Sequence, residues 1–431
     1  MAEGRPRAVV LVTGSELVRG DRRDLNGPFL AQELTRMGLE PDRVVVVGDR
    51  PEELAAALAV ALRSDLCVVS GGLGPTHDDR TLELLSAAID RALVVDEGLE
   101  AEIEAFSRGV AERLQRPFGD FLPGIRKQAS LPAGGVSLGL AGTAPAILVE
   151  HEDGRVAIAL PGPPAELRRL WPRAVEHPAV QRIAERGRVP IRHSLRFFGP
   201  TESAVARVLD EAGGEGRGVE ATVCARDLEI HVDLMVDPGG EENAGRLADA
   251  LAAAFPDDLF ARDDERPVEE LVLALCRERG LTLATAESCT GGLIGARLTD
   301  VPGASDVFVG GVIAYSDSVK ERRLAVPADV LRVHGAVSAE TAAAMAAGAR
   351  SELGADLAIA DTGIAGPGGG TPKKPVGLVF LAVDGPDGAR IARFQLPGDR
   401  ESVRMRTTAL ALHMLRRALT RSGTNSRGGG R

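Results

Sequence analysis

Layered α/β domains, with a smaller α+β unit between two larger ones, are the fold class this sequence predicts, and three observations carry the prediction. The chain has 431 residues, more than a single hydrophobic core usually serves. Short β-branched runs alternate, in both halves, with stretches whose apolar positions recur at helical spacing. Polar turns rich in glycine follow those runs, and repeated βα units bind ligands there, beyond the carboxyl ends of a mainly parallel sheet.

In order, residues 8–12 (Ala-Val-Val-Leu-Val) read as a buried strand, 28–37 as a helix, 44–47 as a strand, 51–63 as an alanine-rich helix and 66–69 as a third strand. Two polar turns follow strands. One is Thr13-Gly-Ser-Glu-Leu-Val-Arg-Gly20, with Glu16 inside it and Asn26 shortly after; the other is Ser70-Gly-Gly-Leu-Gly-Pro-Thr-His-Asp-Asp-Arg-Thr81. The glycines of the second, Gly71, Gly72 and Gly74, suit backbone amides wrapped around a phosphate, and the adjacent Asp78 and Asp79 suit a divalent cation. Paired carboxylates beside a phosphate cradle are what metal-assisted cleavage of a pyrophosphate needs. The same pair also fits a simple cap on the helix that follows. His77 reads as a loop residue, with no second histidine at ligand spacing.

From 190 to 262 the pattern changes: strands at 193–198, 220–224 and 229–236, helices at 202–211 and 241–255, and an exposed acid-and-glycine loop at 213–218. This predicts a small α+β connector, for which a KH-type arrangement is weighed; without a GxxG clamp in a basic setting its role reads as structural. After a linker at 263–267 come a helix (268–279), a strand (281–286), a helix from 291 to 298, a strand (307–315), a helix (338–353), strands at 355–360, 376–383 and 390–394, and a long closing helix (401–419). These form a three-layer α/β/α domain over 267–420. The stretch Thr285-Ala-Glu-Ser-Cys-Thr-Gly-Gly292 is its strand-to-helix turn, where unpaired N–H groups at a helix start favour an anion. Cys289 reads as a small packed residue rather than a nucleophile.

Composition narrows the function. Lysine and arginine number 51 against 62 acidic residues, a formal charge of −11, with one Trp and one Tyr; nothing resembles a nucleic-acid groove. No apolar run reaches the roughly 18 residues a bilayer needs, and residues 1–7 lack the apolar core of a signal peptide. Four scattered cysteines without a CxxC pair fit a reducing cytoplasm. The Arg- and Gly-rich end, 421–431, reads as a disordered tail.

Four motifs in the last third, Thr285 to Gly292, Gly310-Gly-Val-Ile-Ala-Tyr-Ser-Asp-Ser-Val-Lys320, His334-Gly-Ala-Val-Ser338, and Thr362-Gly-Ile-Ala-Gly-Pro-Gly-Gly-Gly370 with Lys374-Pro-Val-Gly377, together resemble the C-terminal domain of the CinA (competence/damage-inducible protein) family. That family's C-terminal domain is a nicotinamide mononucleotide amidohydrolase. The pieces Gly14-Ser-Glu-Leu17, Asn26, 70–76, Asp78-Asp79, Thr81, Gly142-Thr-Ala-Pro145 and 160–166 resemble the molybdopterin-binding domain at the family's N-terminus, a three-layer α/β domain over 1–175.

The resemblance implies hydrolysis of a carboxamide, which needs a nucleophile, a base and oxyanion donors. Ser288, Lys320 and Tyr315 match the family's catalytic positions. Ser288 is the expected nucleophile, Lys320 the base if burial lowers its pKa, and Tyr315 a relay or an orienting group. Lys320 equally fits a solvated helix lysine. Backbone amides of Cys289, Thr290, Gly291 and Gly292 are the expected oxyanion donors. Thr362, Gly363 and Gly366 of the glycine-rich loop, with Arg400 and Arg404, are expected around ribose and phosphate. Asp361 stands where an apolar or hydroxyl residue is expected. In the first domain, Glu16, Asn26, Gly71, Gly72, Gly74, Thr76 and Thr81 are expected to bind a nucleotide, and Asp78 and Asp79 a divalent metal of unspecified identity for ADP-ribose cleavage. No cofactor is expected for the deamidase; partners are small nucleotides and, from the family, a second copy of the chain, with no nucleic acid or membrane. The alternative is a non-catalytic pterin- or nucleotide-binding regulatory protein.

Overall fold

The computed structural model describes residues 5–421. The chain divides into two compact units, one running to Pro190 and the other starting at Ile191. Apart from Arg421, which still belongs to the last helix, the tail expected over 421–431 lies outside the described residues. Among the described residues no helix is long and apolar enough to cross a membrane.

In the first unit the βα alternation is carried by β1 (Arg7–Thr13), α1 (Ser15–Val18), α2 (Asn26–Arg36), β2 (Glu40–Val47), α3 (Pro51–Ala61), β3 (Leu66–Ser70) and α4 (Thr81–Ala88). Pro51 opens α3, with Glu52 and Glu53 in the first turn where the helix dipole favours them. Then come β4 (Leu93–Val95), α5 (Glu97–Leu114), α6 (Leu122–Gln128), β5 (Ser130–Pro132), β6 (Val136–Leu140), β7 (Pro145–Glu150), β8 (Val156–Leu160), α7 (Pro164–Glu176) and α8 (Pro178–Ala184). The main sheet runs β2-β1-β3-β8-β7-β6. Its first four strands are parallel, and β7 is antiparallel to both its neighbours. β3 is buried throughout, as a parallel strand covered on both faces must be, and its unbroken apolar run follows from that. One core holds Leu30, Leu34 and Trp171; the other holds Leu58, Leu85 and Ile103, each such side chain stabilising by about 2 kcal/mol. Ala179, Val180 and Ile183 of α8 belong to the first core, so this unit extends past residue 175.

The second unit opens with β9 (Ile191–Phe197), α9 (Glu202–Glu211), β10 (Val219–Arg226), β11 (Glu229–Val236), α10 (Glu241–Ala254) and β12 (Leu259–Arg262). The order β10-β11-β9-β12 with antiparallel neighbours is that of a split βαβ unit. This differs from the KH-type arrangement weighed for the connector. The difference lies in β12, a four-residue strand beside an acid-rich linker that exists because β9 pairs with it.

The rest comprises α11 (Val268–Arg279), β13 (Leu283–Glu287), α12 (Leu293–Thr299), β14 (Phe308–Ile313), α13 (Asp317–Leu324), α14 (Ala328–His334), α15 (Ala339–Glu352), β15 (Leu357–Gly363), β16 (Leu378–Asp384), β17 (Arg390–Gln395) and α16 (Arg400–Arg421). The sheet runs β14-β13-β15-β16-β17, parallel across the first three strands and antiparallel across the last two pairs. One face packs on α11, α12 and α16 and the other on α13 to α15, the expected three layers. The closing helix also reaches the connector. His413 stacks on Phe198 with centroids 3.8 Å apart, and its Nε2 lies 2.8 Å from Glu229 Oε1. Burial lowers the His413 pKa, so a neutral ring donates to that carboxylate.

Candidate functional site

β13 ends at Glu287, and α12 begins only at Leu293, because Gly291 and Gly292 hold φ of +60° and +101°, the left-handed region that favours glycine. Between them the chain turns tightly through Ser288, Cys289 and Thr290. β15, parallel to β13, runs three residues beyond its expected end, to Gly363. That extension brings Asp361 beneath the turn, where its side chain is fully buried.

Asp361 organises the turn. Its Oδ1 accepts from the Cys289 N–H (2.7 Å) and the Thr290 N–H (3.0 Å), and its Oδ2 from the Ser288 N–H (3.3 Å). Glu287, only 2% exposed, takes the next set: Gly292 N–H at 2.8 Å and Ile294 N–H at 3.0 Å on Oε2, and Gly295 N–H at 2.8 Å on Oε1. The helix-start amides are met by acceptors, but the acceptors are the protein's own carboxyl groups. This corrects the expected oxyanion donors: the amides of Cys289, Thr290 and Gly292 are engaged from below. Thr290 is fully buried, behind the turn rather than on its ligand face. Arg404 braces the other side, donating to Cys289 O (3.2 Å) and Thr290 O (2.7 Å).

Above the turn lies a cavity of about 180 Å³ lined by Ser288, Cys289, Tyr315, Lys320, Ala336, Val337, Thr362, Gly363, Ala365 and Arg400. Three elements deliver the functional groups: the 287–292 turn, the β14-to-α13 junction, and the start of α16. Lys320 is 1% exposed. Its Nζ donates to Ala314 O at 2.8 Å and stands 3.8 Å from Asp317. Burial lowers its pKa, opposed by Asp317 and Asp361, so it is not a solvated helix lysine. Tyr315 is 65% exposed, and its hydroxyl accepts from Arg400 Nη2 at 3.1 Å, while Arg400 Nη1 donates to Gly366 O at 3.0 Å. Thr362 Oγ1 donates to Ala336 O at 2.7 Å, tying the 335–338 segment to the wall. Burial pushes the Cys289 thiol up to about 12, which leaves it a packed group and no thiolate. A larger open hollow of about 520 Å³ adjoins the start of α16 and shares Arg400, with Arg404, Leu293 and Met405 in its lining.

In the first unit the strand ends also converge. Asn26 Nδ2 donates to Ser70 Oγ (2.9 Å) and Gly162 O (2.7 Å), and Thr81 Oγ1 donates to Gly71 O (2.8 Å). Both residues therefore hold the loops together. Gly72 has φ +67°, and a Cβ there would lie 2.3 Å from Thr81 Oγ1, so only glycine fits. Asp78 is exposed and Asp79 half-buried. Asp79 accepts from the Thr76 N–H at 3.0 Å, and α4 has no side-chain cap, so the pair closes its own loop and does not cap the helix. The Thr76 hydroxyl bond, ahead of other effects, lowers the Asp78 pKa. Lys127 of α6 donates to Thr76 O, a basic group that sequence order, 51 residues away, did not suggest. Gly142 faces Glu166: a Cβ there would lie 2.4 Å from its carboxyl, and burial raises the Glu166 pKa. Among the described residues no group of three or more His, Cys, Asp or Glu gathers for a metal.

The family described as "CinA C-terminal domain" matches residues 265–419, and that described as "Probable molybdopterin binding domain" matches residues 9–182. A CinA-like protein of Mycolicibacterium gilvum is 43% identical over 429 residues, covering 97% of this chain and 99% of its own length. One from Mycobacterium tuberculosis is 41% identical over 426 residues, with 96% and 97% covered. The solved structure of the competence/damage inducible protein CihA from Agrobacterium tumefaciens is 42% identical over 35% of this chain and 94% of that one, with a TM-score of 0.34.

Proposed function

This chain belongs to the CinA family, and from that premise we propose that its second unit hydrolyses nicotinamide mononucleotide to nicotinic acid mononucleotide and ammonia. The observation that carries the reading is one cavity lined by Ser288, Tyr315, Lys320 and Arg400. Ser288 Oγ attacks the carboxamide carbon, and Lys320, its pKa lowered by burial, takes the hydroxyl proton and passes it to the departing ammonia. Water then cleaves the acyl-serine. With the turn amides engaged by Asp361 and Glu287, the developing oxyanion is met by groups on the cavity wall, of which the Tyr315 hydroxyl and the Arg400 guanidinium face it as donors. The ribose phosphate extends into the open hollow at the start of α16, where Arg400 and Arg404 stand. The test is ammonia release from nicotinamide mononucleotide by the purified chain without added metal, with Ser288→Ala beside it. Wild-type turnover that the variant loses supports the assignment, and a variant as fast as wild type removes Ser288 from the nucleophile's place.

For the first unit the reading is nucleotide or pterin binding at the 70–81 loop with metal-dependent cleavage of ADP-ribose. Asp78 and Asp79 fit a divalent ion that keeps most of its waters, since an exposed and a half-buried carboxylate converge on the Thr76 hydroxyl at the surface. Such an ion would supply charge neutralisation on the pyrophosphate. This chain's own part is to cradle the phosphates with Gly71, Gly72 and Gly74, with Lys127 nearby. Turnover that stops with chelator supports an enzyme; calorimetric binding without product supports a binding module. The free cysteines Cys67, Cys224, Cys276 and Cys289 suit a reducing cytoplasm.

A further inference from the structure

The buried carboxyls of Glu287 and Asp361 sit on one hydroxyl. Thr290 Oγ1 lies 2.7 Å from Glu287 Oε2 and 2.6 Å from Asp361 Oδ2. A threonine hydroxyl has a single proton to give. With both carboxyls ionised, one of these short contacts would set lone pair against lone pair inside a site closed to water, so one carboxyl carries a proton. Its place follows from the other bonds. Both Glu287 oxygens and Asp361 Oδ1 accept backbone N–H groups at 2.7 to 3.0 Å. Asp361 Oδ2 has only the long 3.3 Å contact from the Ser288 N–H besides Thr290.

We propose that Asp361 is a positioning residue which, while protonated at Oδ2, donates to Thr290 Oγ1 as that hydroxyl donates to Glu287 Oε2, and that this proton chain sets the place of Ser288. The chain spans the end of β15, the turn and the end of β13, and so fixes the turn to two strands at once. Burial, strengthened by the Glu287 charge, pushes the Asp361 carboxyl up to about 6. The groups facing Asp361 are Glu287 on β13, the Cys289 thiol in the turn and Lys320 on α13, with Asp317 beyond Lys320 and Arg400 and Arg404 beyond the turn on α16. An ionised Asp361 would hold the Lys320 ammonium more tightly, so the neutral form also leaves Lys320 the better base.

The catalytic half of this inference rests on the deamidase reading, and the proton does not. The proton is tested on the full-length chain with carbon-13-labelled aspartate, by the infrared band of a protonated carboxylic acid at about pH 5. We expect the band in wild type and its loss in Asp361→Asn; no such difference overturns the proposal. Asparagine keeps the shape and donates from Nδ2 as the neutral acid does. Asp361→Asn should therefore keep kcat within about threefold, whereas Asp361→Ala should lower kcat at least about tenfold at nearly constant KM. The wild-type pH–rate profile should carry an inflection from the pair that Asp361→Asn removes. Asparagine as damaging as alanine, or an inflection that survives it, overturns the role; if the alanine variant does not fold, the asparagine profile decides. Wild type without ammonia release defeats the deamidase reading alone and leaves the infrared result to judge the proton.

Discussion

The turn after β3 and the turn after β13 are both glycine-rich strand ends with two acidic side chains each, and they use those acids in opposite ways. Asp78 stands exposed and Asp79 half-buried, both bonded to their own loop through Thr76, at a surface where their charge is open to something outside. Glu287 and Asp361 are buried, and their carboxyl oxygens are spent on six backbone N–H groups of the chain itself. The lesson is that a Gly-rich helix start attracts negative charge in both places, and what lies behind the loop decides whether that charge comes from a ligand or from the protein. Where β15 runs on beneath the turn, the acceptors are internal, and the working face is left to side chains.

The comparison makes predictions of decreasing size. Ser288→Ala should lower ammonia release by about a thousandfold or more without changing the thermal midpoint or ADP-ribose turnover; a loss of both activities would break the separation of the two sites. Asp78→Asn with Asp79→Asn should abolish metal-stimulated ADP-ribose cleavage while costing under about 0.5 kcal/mol of stability, as surface changes do. A stability loss measured by denaturant would move this pair toward the buried pattern. Lys320→Met should lower kcat by about a hundredfold to ten-thousandfold. In wild type, kcat/KM should rise with pH through a value below the ordinary lysine range, because burial lowers the Lys320 pKa and only the neutral amine accepts a proton.

The smallest effect is thermodynamic. Burial pushes the folded Asp361 carboxyl up to about 6 from an ordinary 3.8. Its raised value means stability present below the unfolded pKa and lost as pH rises through the folded one. Wild type minus Asp361→Asn, followed by urea unfolding between about pH 4 and pH 7, should fall by about 2 kcal/mol. A flat difference would mean that Asp361 is ionised throughout.

Much of this was legible in the residues. Glu202–Glu211, Glu229–Val236 and Val268–Arg279 have the bounds their periodicity predicts, because each buries one face in a regular repeat. Ser288 and Tyr315 were placed at strand ends by local pattern, Lys320 was singled out with them by the family resemblance, and the fold gathers all three in one cavity. β12 and the last three residues of β15 were missed, since both are strands only by pairing with a distant neighbour. Asp361 stood out as unusual without any hint of its role.

Hydrophobic period, glycine turns and helix-start chemistry act over a few residues, and those the sequence by itself determined: two βα-rich regions, a small connector, and polar turns in the right places. The partners of the turn amides were decided by tertiary structure alone. Asp361 is 73 residues from Ser288, and only the parallel pairing of β13 with β15 puts it underneath. Burial, the Lys320 shift and the shared hydroxyl follow from that placement, because desolvation and proton sharing depend on what surrounds a group in space and not on its neighbours in the chain.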